Sequence, residues 1–281
     1  MYHQNGNLKK RYSTLKASDS MLNKIHNIDC VEGMKKLDDE IIDLTVTSPP
    51  YDNLRKYEGY SFDFESVAQE LYRVTKQGGV VVWVVGDQTV NGSESGNSFR
   101  QALYFMDLGF NLHDTMIYEE NSMSMPDNNR YYQKFEYMFV FSKGKPKTVN
   151  RIKDHKNTAK RWSEKFNTTN ADGSKNERER DLTKQEYGIR FNIWKYNTGF
   201  SQTTRDKITH PAPFPEKLAQ DHIVSWSNEG DLILDPFMGS GTTAKSALEL
   251  SRDFIGFEIS KSYYNESVER IKGLLSQQKL L

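Results

Sequence analysis

The chain has one cysteine, Cys30, among 281 residues, so no internal disulfide can staple it. It also lacks any apolar run of about 18 residues or more that could span a bilayer. The opening stretch MYHQNGNLKKRYSTLKASDS has no apolar signal core. The expectation is a soluble, cytoplasmic protein with a loosely ordered N-terminal arm over 1–20. A charge surplus is missing as well, since 38 Lys and Arg balance 38 Asp and Glu. A protein that coats nucleic acid indiscriminately needs a basic excess, so that class is disfavoured. The six histidines, at 3, 26, 113, 155, 210 and 222, show no H-x-x-x-H or Cys/His spacing, which argues against a metal site. No internal repeat is evident. The length is enough for one large domain, or one domain carrying an insertion.

The balanced total hides a partition. Residues 143–190 hold 14 basic against 7 acidic side chains, net +7, so the remainder carries net −7. This segment has little apolar periodicity and reads as a polar insertion, with Trp162, Phe166 and Tyr187 leaving room for a small folded unit. On either side the pattern is regular. Strand 41–46, helix 64–76 stopped by Gly78-Gly79, strand 80–85, helix 98–109 and strand 135–143 come before it. Helix 216–227, strand 231–237, helix 242–250 and strand 253–260 follow it. Strands and helices alternate, which implies an α/β fold with a parallel sheet and helices on both faces.

Two strand ends carry unusual residues. The first runs into TSPPY (47–51), and two prolines cannot continue a central strand because each lacks a ladder N–H. The second runs into LDPFMGSGTTA (234–244), where an acidic residue ends the strand and Gly239 and Gly241 precede a helix. Glycines there permit a tight turn and close approach of backbone to a ligand. Glycine is absent at Ala244 and no Gly-Lys-Ser/Thr occurs, so neither a dinucleotide fingerprint nor a phosphate-binding P-loop is present. Glu258 closes the next strand, where an acid commonly accepts bonds from ribose hydroxyls. A nucleoside ligand with little phosphate is the reading.

Together, TSPPY and DPFMGSGTT resemble the amino-group DNA methyltransferases that use S-adenosylmethionine. HNIDCVEGMKKL before the first motif and HPAPFP (210–215) before the second extend the likeness over 22–143 and 207–275. The catalytic motif precedes the cofactor loop with a variable stretch between them, which looks like the β class. The resemblance implies a Rossmann-like methyltransferase sheet: an arm (1–20), a catalytic half (21–142), a basic insertion serving as target-recognition region (143–209), and a cofactor-binding half of the same domain (210–281). It implies that Ser48, Pro49, Pro50 and Tyr51 are catalytic. Asp29, Pro213, Phe214, Asp235, Pro236, Phe237, Gly239, Gly241, Thr242 and Glu258 are expected to bind S-adenosylmethionine, and Lys153, Lys156, Lys160 and Arg161 to bind double-stranded DNA. Whether a restriction endonuclease accompanies the enzyme is left open.

The chemistry suits these residue types. The lone pair of an exocyclic amino group is delocalised into the base, so methylation needs the nitrogen to move toward tetrahedral geometry, which acceptors on its two N–H bonds favour. Ser48 Oγ and the Pro49 carbonyl can supply them, while Tyr51 can stack on a base flipped out of the duplex. Carbon-5 cytosine methylation instead uses a cysteine nucleophile that typically follows proline, whereas Cys30 follows Asp29. In the family, serine at the first motif position usually accompanies N4-cytosine and aspartate N6-adenine, so cytosine is favoured. Related motifs beginning with asparagine act on protein glutamine or RNA bases, and Ser48 counts against that alternative. A nuclease built on Pro126-Asp127 lacks the following Glu-x-Lys, since Tyr137 and Met138 follow Glu136.

Overall fold

The structure, a computed structural model, describes residues 20–50, 62–121, 129–157, 165–179, 186–197 and 215–278. In chain order the elements are β1 (Lys24–His26), α1 (Cys30–Met34), β2 (Ile42–Thr47), α2 (Phe64–Val74), β3 (Thr75–Val85) and the short hairpin β4 (Thr89–Val90) and β5 (Ser93–Glu94). Next come α3 (Asn97–Asp107), β6 (Asn111–Glu120), β7 (Phe135–Ser142), β8 (His155–Lys156), β9 (Lys165–Thr169), β10 (Lys175–Glu179), β11 (Tyr187–Gly188) and β12 (Ile193–Tyr196). The chain continues through α4 (Glu216–Trp226), β13 (Leu232–Asp235), α5 (Thr242–Glu249), β14 (Asp253–Phe257) and α6 (Lys261–Gln278).

Among the described residues, eight strands form one sheet in the order β1-β14-β13-β2-β3-β7-β6-β12. All pairings are parallel except those of β7, which runs against both β3 and β6. The reason both faces need cover is visible in β3, where every residue from Val80 to Val85 is at most 2% exposed. Successive side chains on a strand point to opposite faces. Val81, Trp83 and Val85 join Met34, Leu71, Ala102 and Phe105 in one apolar cluster beneath α1, α2 and α3. Val80, Val82 and Val84 point the other way and are equally buried. The buried indole of Trp83 is satisfied by donating to Gln101 Oε1 at 2.9 Å.

The compact unit 151–191 is separate from the unit formed by 1–150 with 192–281. It contains the β8/β11 pair and the β9/β10 hairpin. It is narrower than the insertion read from composition. Lys143 is 6% exposed, donates to Tyr72 O and Thr75 O at 2.9 and 3.1 Å, and belongs to the sheet unit. β12, at the other end, is a strand of the main sheet.

Three sequence expectations are corrected. The sheet is mixed rather than parallel, because β6 follows α3 directly and β7 returns antiparallel between β6 and β3. β6 escapes the pattern search because its sequence, NLHDTMIYEE, buries only Met116 and Tyr118. Helix α2 ends at Val74 rather than at the glycines, with Thr75 Oγ1 bonded back to Leu71 O at 2.6 Å. Gly78 and Gly79 lie inside β3, in an irregularity where Thr75 pairs with Ile42 and Val80 already pairs with Leu44.

Candidate active site

β2 and β13 are parallel neighbours, Leu44 opposite Ile233 and Thr45 opposite Leu234. From β2 the chain crosses by α2 to β3 on one side, and from β13 it crosses by α5 to β14 on the other. Strand order therefore reverses between them and leaves a crevice at their carboxyl ends, the place where open α/β sheets bind ligands. Both motifs sit at that crevice. Ser48, Pro49 and Pro50 follow the last residue of β2, half-buried, buried and half-buried in turn. The loop 236–241 follows Asp235, the last residue of β13.

Asp235 ties the two strand ends together. Its Oδ1 accepts from Thr47 Oγ1 at 2.7 Å and from Phe237 N at 3.0 Å. The Thr243 hydroxyl, in the first turn of α5, stands close to the same carboxylate and 3.3 Å from Val46 O. Burial raises the Asp235 carboxyl above its ordinary value, opposed by the Thr47 and Thr243 hydroxyls and the Phe237 amide. Thr47 and Thr243 are contributors that the sequence reading missed, since no local signal reveals a partner 188 residues away.

A stability prediction follows. Asp235→Ala strands the Thr47 hydroxyl and the Phe237 amide in the interior, at roughly 1–3 kcal/mol for each orphaned group. Asp235→Asn keeps Oδ1 as the acceptor. The carboxyl holds its proton to higher pH folded than unfolded, so wild type loses stability relative to Asp235→Asn as pH rises from the ordinary carboxylate range through the raised value. Thermal unfolding of the three proteins from acid to neutral pH checks both parts, and parallel wild-type and Asn curves would count against the buried charge.

The loop after β13 is shaped by glycine and by Glu258. Gly239 and Gly241 adopt φ of +50° and +82°, where side chains are strained. A Cβ on Gly241 would stand 3.0 Å from Ser267 Cβ on α6. Glu258 follows β14 and is 9% exposed. Its Oε2 accepts from Gly239 N and its Oε1 from Ser260 N, each at 2.8 Å. Burial raises this carboxyl, and the two amides oppose the shift. Glu258 thus holds the loop, and each oxygen retains a second lone pair for a ligand hydroxyl. The donor set suits a nucleoside without phosphate: among the described residues, Lys245 and Arg270 beside the loop are both paired with Glu216, at 2.8 and 3.3 Å.

The remaining sequence assignments fall in varied places. Asp29 caps α1, accepting from Val31 N at 2.9 Å and Glu32 N at 3.1 Å. Pro236 is buried, and the Phe237 ring meets Phe62 and Trp83 edge-on at 5.5 and 6.2 Å. Thr242 starts α5 and accepts from Arg270. Lys153 and Lys156 are exposed on the 151–191 unit. Tyr51, Pro126, Asp127, Lys160, Arg161, Pro213 and Phe214 lie outside the described residues. The Cys30 thiol is buried, which together with nearby Asp29 pushes it up to about 12, far from the thiolate a nucleophile requires.

A mixed sheet with helices on both faces, its two motif loops meeting at the switch point, defines the Rossmann-like methyltransferase class. Residues 42–269 match the DNA methylase family, and the chain belongs to it. It is 60% identical over 248 residues to the orphan methyltransferase M.BamHII of Bacillus amyloliquefaciens, covering 86% of this chain and 92% of that protein. The type II methyltransferase M.BglII of Bacillus subtilis is 26% identical over 261 residues, covering 90% and 69%. Among solved structures, PvuII DNA methyltransferase (cytosine-N4-specific) superposes with a TM-score of 0.63 at 21% identity, covering 90% of this chain and 89% of that one. The M1.HpyAVI–SAM complex superposes with a TM-score of 0.57 at 23% identity, covering 88% and 98%. These two structures support the fold.

Proposed function

We propose that the protein methylates the exocyclic N4 of a cytosine flipped out of double-stranded DNA, with S-adenosylmethionine as donor. The observation that carries this reading is the placement of Ser48-Pro49 beside the Asp235 loop, across the switch point and joined by the Thr47–Asp235 bond. The glycine loop and Glu258 form the nucleoside side of the site, Glu258 facing the ribose. Bound there, S-adenosylmethionine supplies a methyl group on a sulfonium, which leaves as a neutral thioether. Ser48 Oγ and the Pro49 carbonyl accept the two amino hydrogens and favour the tetrahedral nitrogen that attacks the methyl carbon. The nitrogen then sheds one proton to solvent. Serine at position 48 favours cytosine through the family association, and Tyr51 is assigned to stacking on the flipped base. Incubating the purified chain with methyl-labelled S-adenosylmethionine and unmethylated plasmid DNA, RNA or protein tests the substrate class. Label in RNA or protein but not in DNA would refute the reading.

The 151–191 unit is assigned to DNA contact, and its charge is unevenly spread. Residues 151–164 carry formal net +3, whereas the hairpin segment 165–179 is neutral. Phosphate contacts position a protein on the duplex and base contacts specify sequence. The basic stretch suits the first role. A two-stranded ribbon with exposed Asn167, Thr169, Lys175 and Glu177 has the size and side chains for the second. Changing Lys153, Lys156, Lys160 and Arg161 to Gln is expected to weaken DNA binding and flatten its salt dependence by about 0.9 in log–log slope per lost phosphate contact. Affinity for S-adenosylmethionine stays at the wild-type value. Titrations at several salt concentrations decide this, and superimposable salt plots would remove the basic stretch from the interface.

A further inference from the structure

Arg270, on α6, lies one residue beyond the stretch that matches the DNA methylase family, yet its guanidinium reaches the glycine loop. Nη1 donates to Ser240 O at 3.1 Å and to Thr242 Oγ1 at 2.9 Å. Nη2 donates to Glu216 Oε2 at 3.3 Å. Glu216 opens α4 directly after Pro215, the last residue of the HPAPFP segment. Lys245 on α5 donates to the same carboxylate oxygen at 2.8 Å. The Arg270 and Glu216 side chains are 10% and 18% exposed, so water screens their contact weakly. One turn earlier on α6, Ser267 is fully buried against Gly241.

The loop 239–242 contains two glycines at positive φ, a conformation it has no strong intrinsic reason to hold and must be given from outside. Among the described residues, two side chains anchor it from outside. Glu258 fixes the Gly239 amide, and Arg270 fixes the Ser240 carbonyl and the Thr242 hydroxyl. A guanidinium suits this task because its planar fork serves several acceptors at once, where an ammonium acts as a single point charge. We propose that Arg270 is a positioning residue for the cofactor. It sets the shape of the loop before ligand arrives and, through Glu216, holds it at a fixed spacing from the start of α4. The proposal rests on the assignment of the glycine loop to S-adenosylmethionine made above.

The test uses the purified full chain with Arg270→Met, Arg270→Lys, Glu216→Gln and the Arg270→Met/Glu216→Gln double variant. S-adenosylmethionine affinity is measured by calorimetry, and steady-state kinetics are run on unmethylated plasmid DNA. Arg270→Met is expected to raise both Kd and KM for S-adenosylmethionine by about tenfold or more, with kcat at saturating donor within about twofold of wild type. Arg270→Lys should fall between wild type and Arg270→Met, and the double variant should lose less than the product of the single losses. A folded Arg270→Met with wild-type Kd overturns the proposal even if its melting temperature drops, since a purely structural role moves only the latter. Should Arg270→Met fail to fold, Arg270→Lys decides: a raised Kd supports the positioning role and a wild-type Kd overturns it. Failure of the wild-type chain itself to bind S-adenosylmethionine would instead refute the assignment of the loop.

Discussion

Replacing Ser48 by Ala is expected to lower single-turnover methyl transfer by roughly 10²-fold or more, the scale for removing one transition-state hydrogen bond. The fold should survive, because Ser48 lies just past the end of β2, and Thr47 and Val46, the last residues of that strand, keep their bonds to Asp235 and Thr243. Affinity for S-adenosylmethionine should also survive, since the loop 236–241 and Glu258 are separate from the substitution. Loss of rate with affinity retained identifies an interaction made mainly in the transition state. An Ala variant with the wild-type rate would remove Ser48 from the chemistry, and one that loses donor affinity in parallel would assign it to binding.

The second large effect is expected in the glycine loop. Gly239→Val puts a β-branched side chain at φ +50°, a conformation such residues avoid, on a backbone whose amide must reach Glu258 at 2.8 Å. Binding of S-adenosylmethionine should become undetectable by calorimetry. Because that substitution also strains the fold, Glu258→Ala serves as an independent approach from the other partner. It leaves the Gly239 and Ser260 amides without their carboxylate. Hydrogen bonds to a charged group contribute about 1.5–3 kcal/mol, so donor affinity should fall by about 10- to 100-fold. Unchanged affinity in a folded Glu258→Ala protein would place the cofactor elsewhere.

Much of the candidate site was legible because it is written in short contiguous stretches. TSPPY ends a strand for a reason any chain must obey, since proline has no ladder N–H, and β2 does stop at Thr47. The two glycines of DPFMGSG are expected to permit a tight turn, and in the structure both have positive φ. What escaped depends on contacts distant in sequence. The Thr47–Asp235 bond spans 188 residues, and the Arg270–Glu216 contact spans 54. The sequence expectation for Glu258 is a ribose contact; in the structure its carboxylate organises the loop through two backbone amides, which carry no side-chain signal. The expectation of a parallel sheet failed at β7 because alternation of strand and helix says nothing about direction where β6 and β7 follow one another with no helix among the described residues between them. β12 was hidden for a simpler reason: four residues, IWKY, embedded next to a basic, weakly patterned segment.

The central claim concerns the atom that receives the methyl group. Plasmid DNA from a strain lacking its own methyltransferases, treated with the purified chain and S-adenosylmethionine, then digested to nucleosides, reports it directly by mass and chromatographic identity. The expected product is N4-methyldeoxycytidine, formed by wild type and reduced to a trace with Ser48→Ala. N6-methyldeoxyadenosine in its place would contradict the choice of base, and 5-methyldeoxycytidine would contradict the amino-nitrogen chemistry assigned to Ser48 and Pro49.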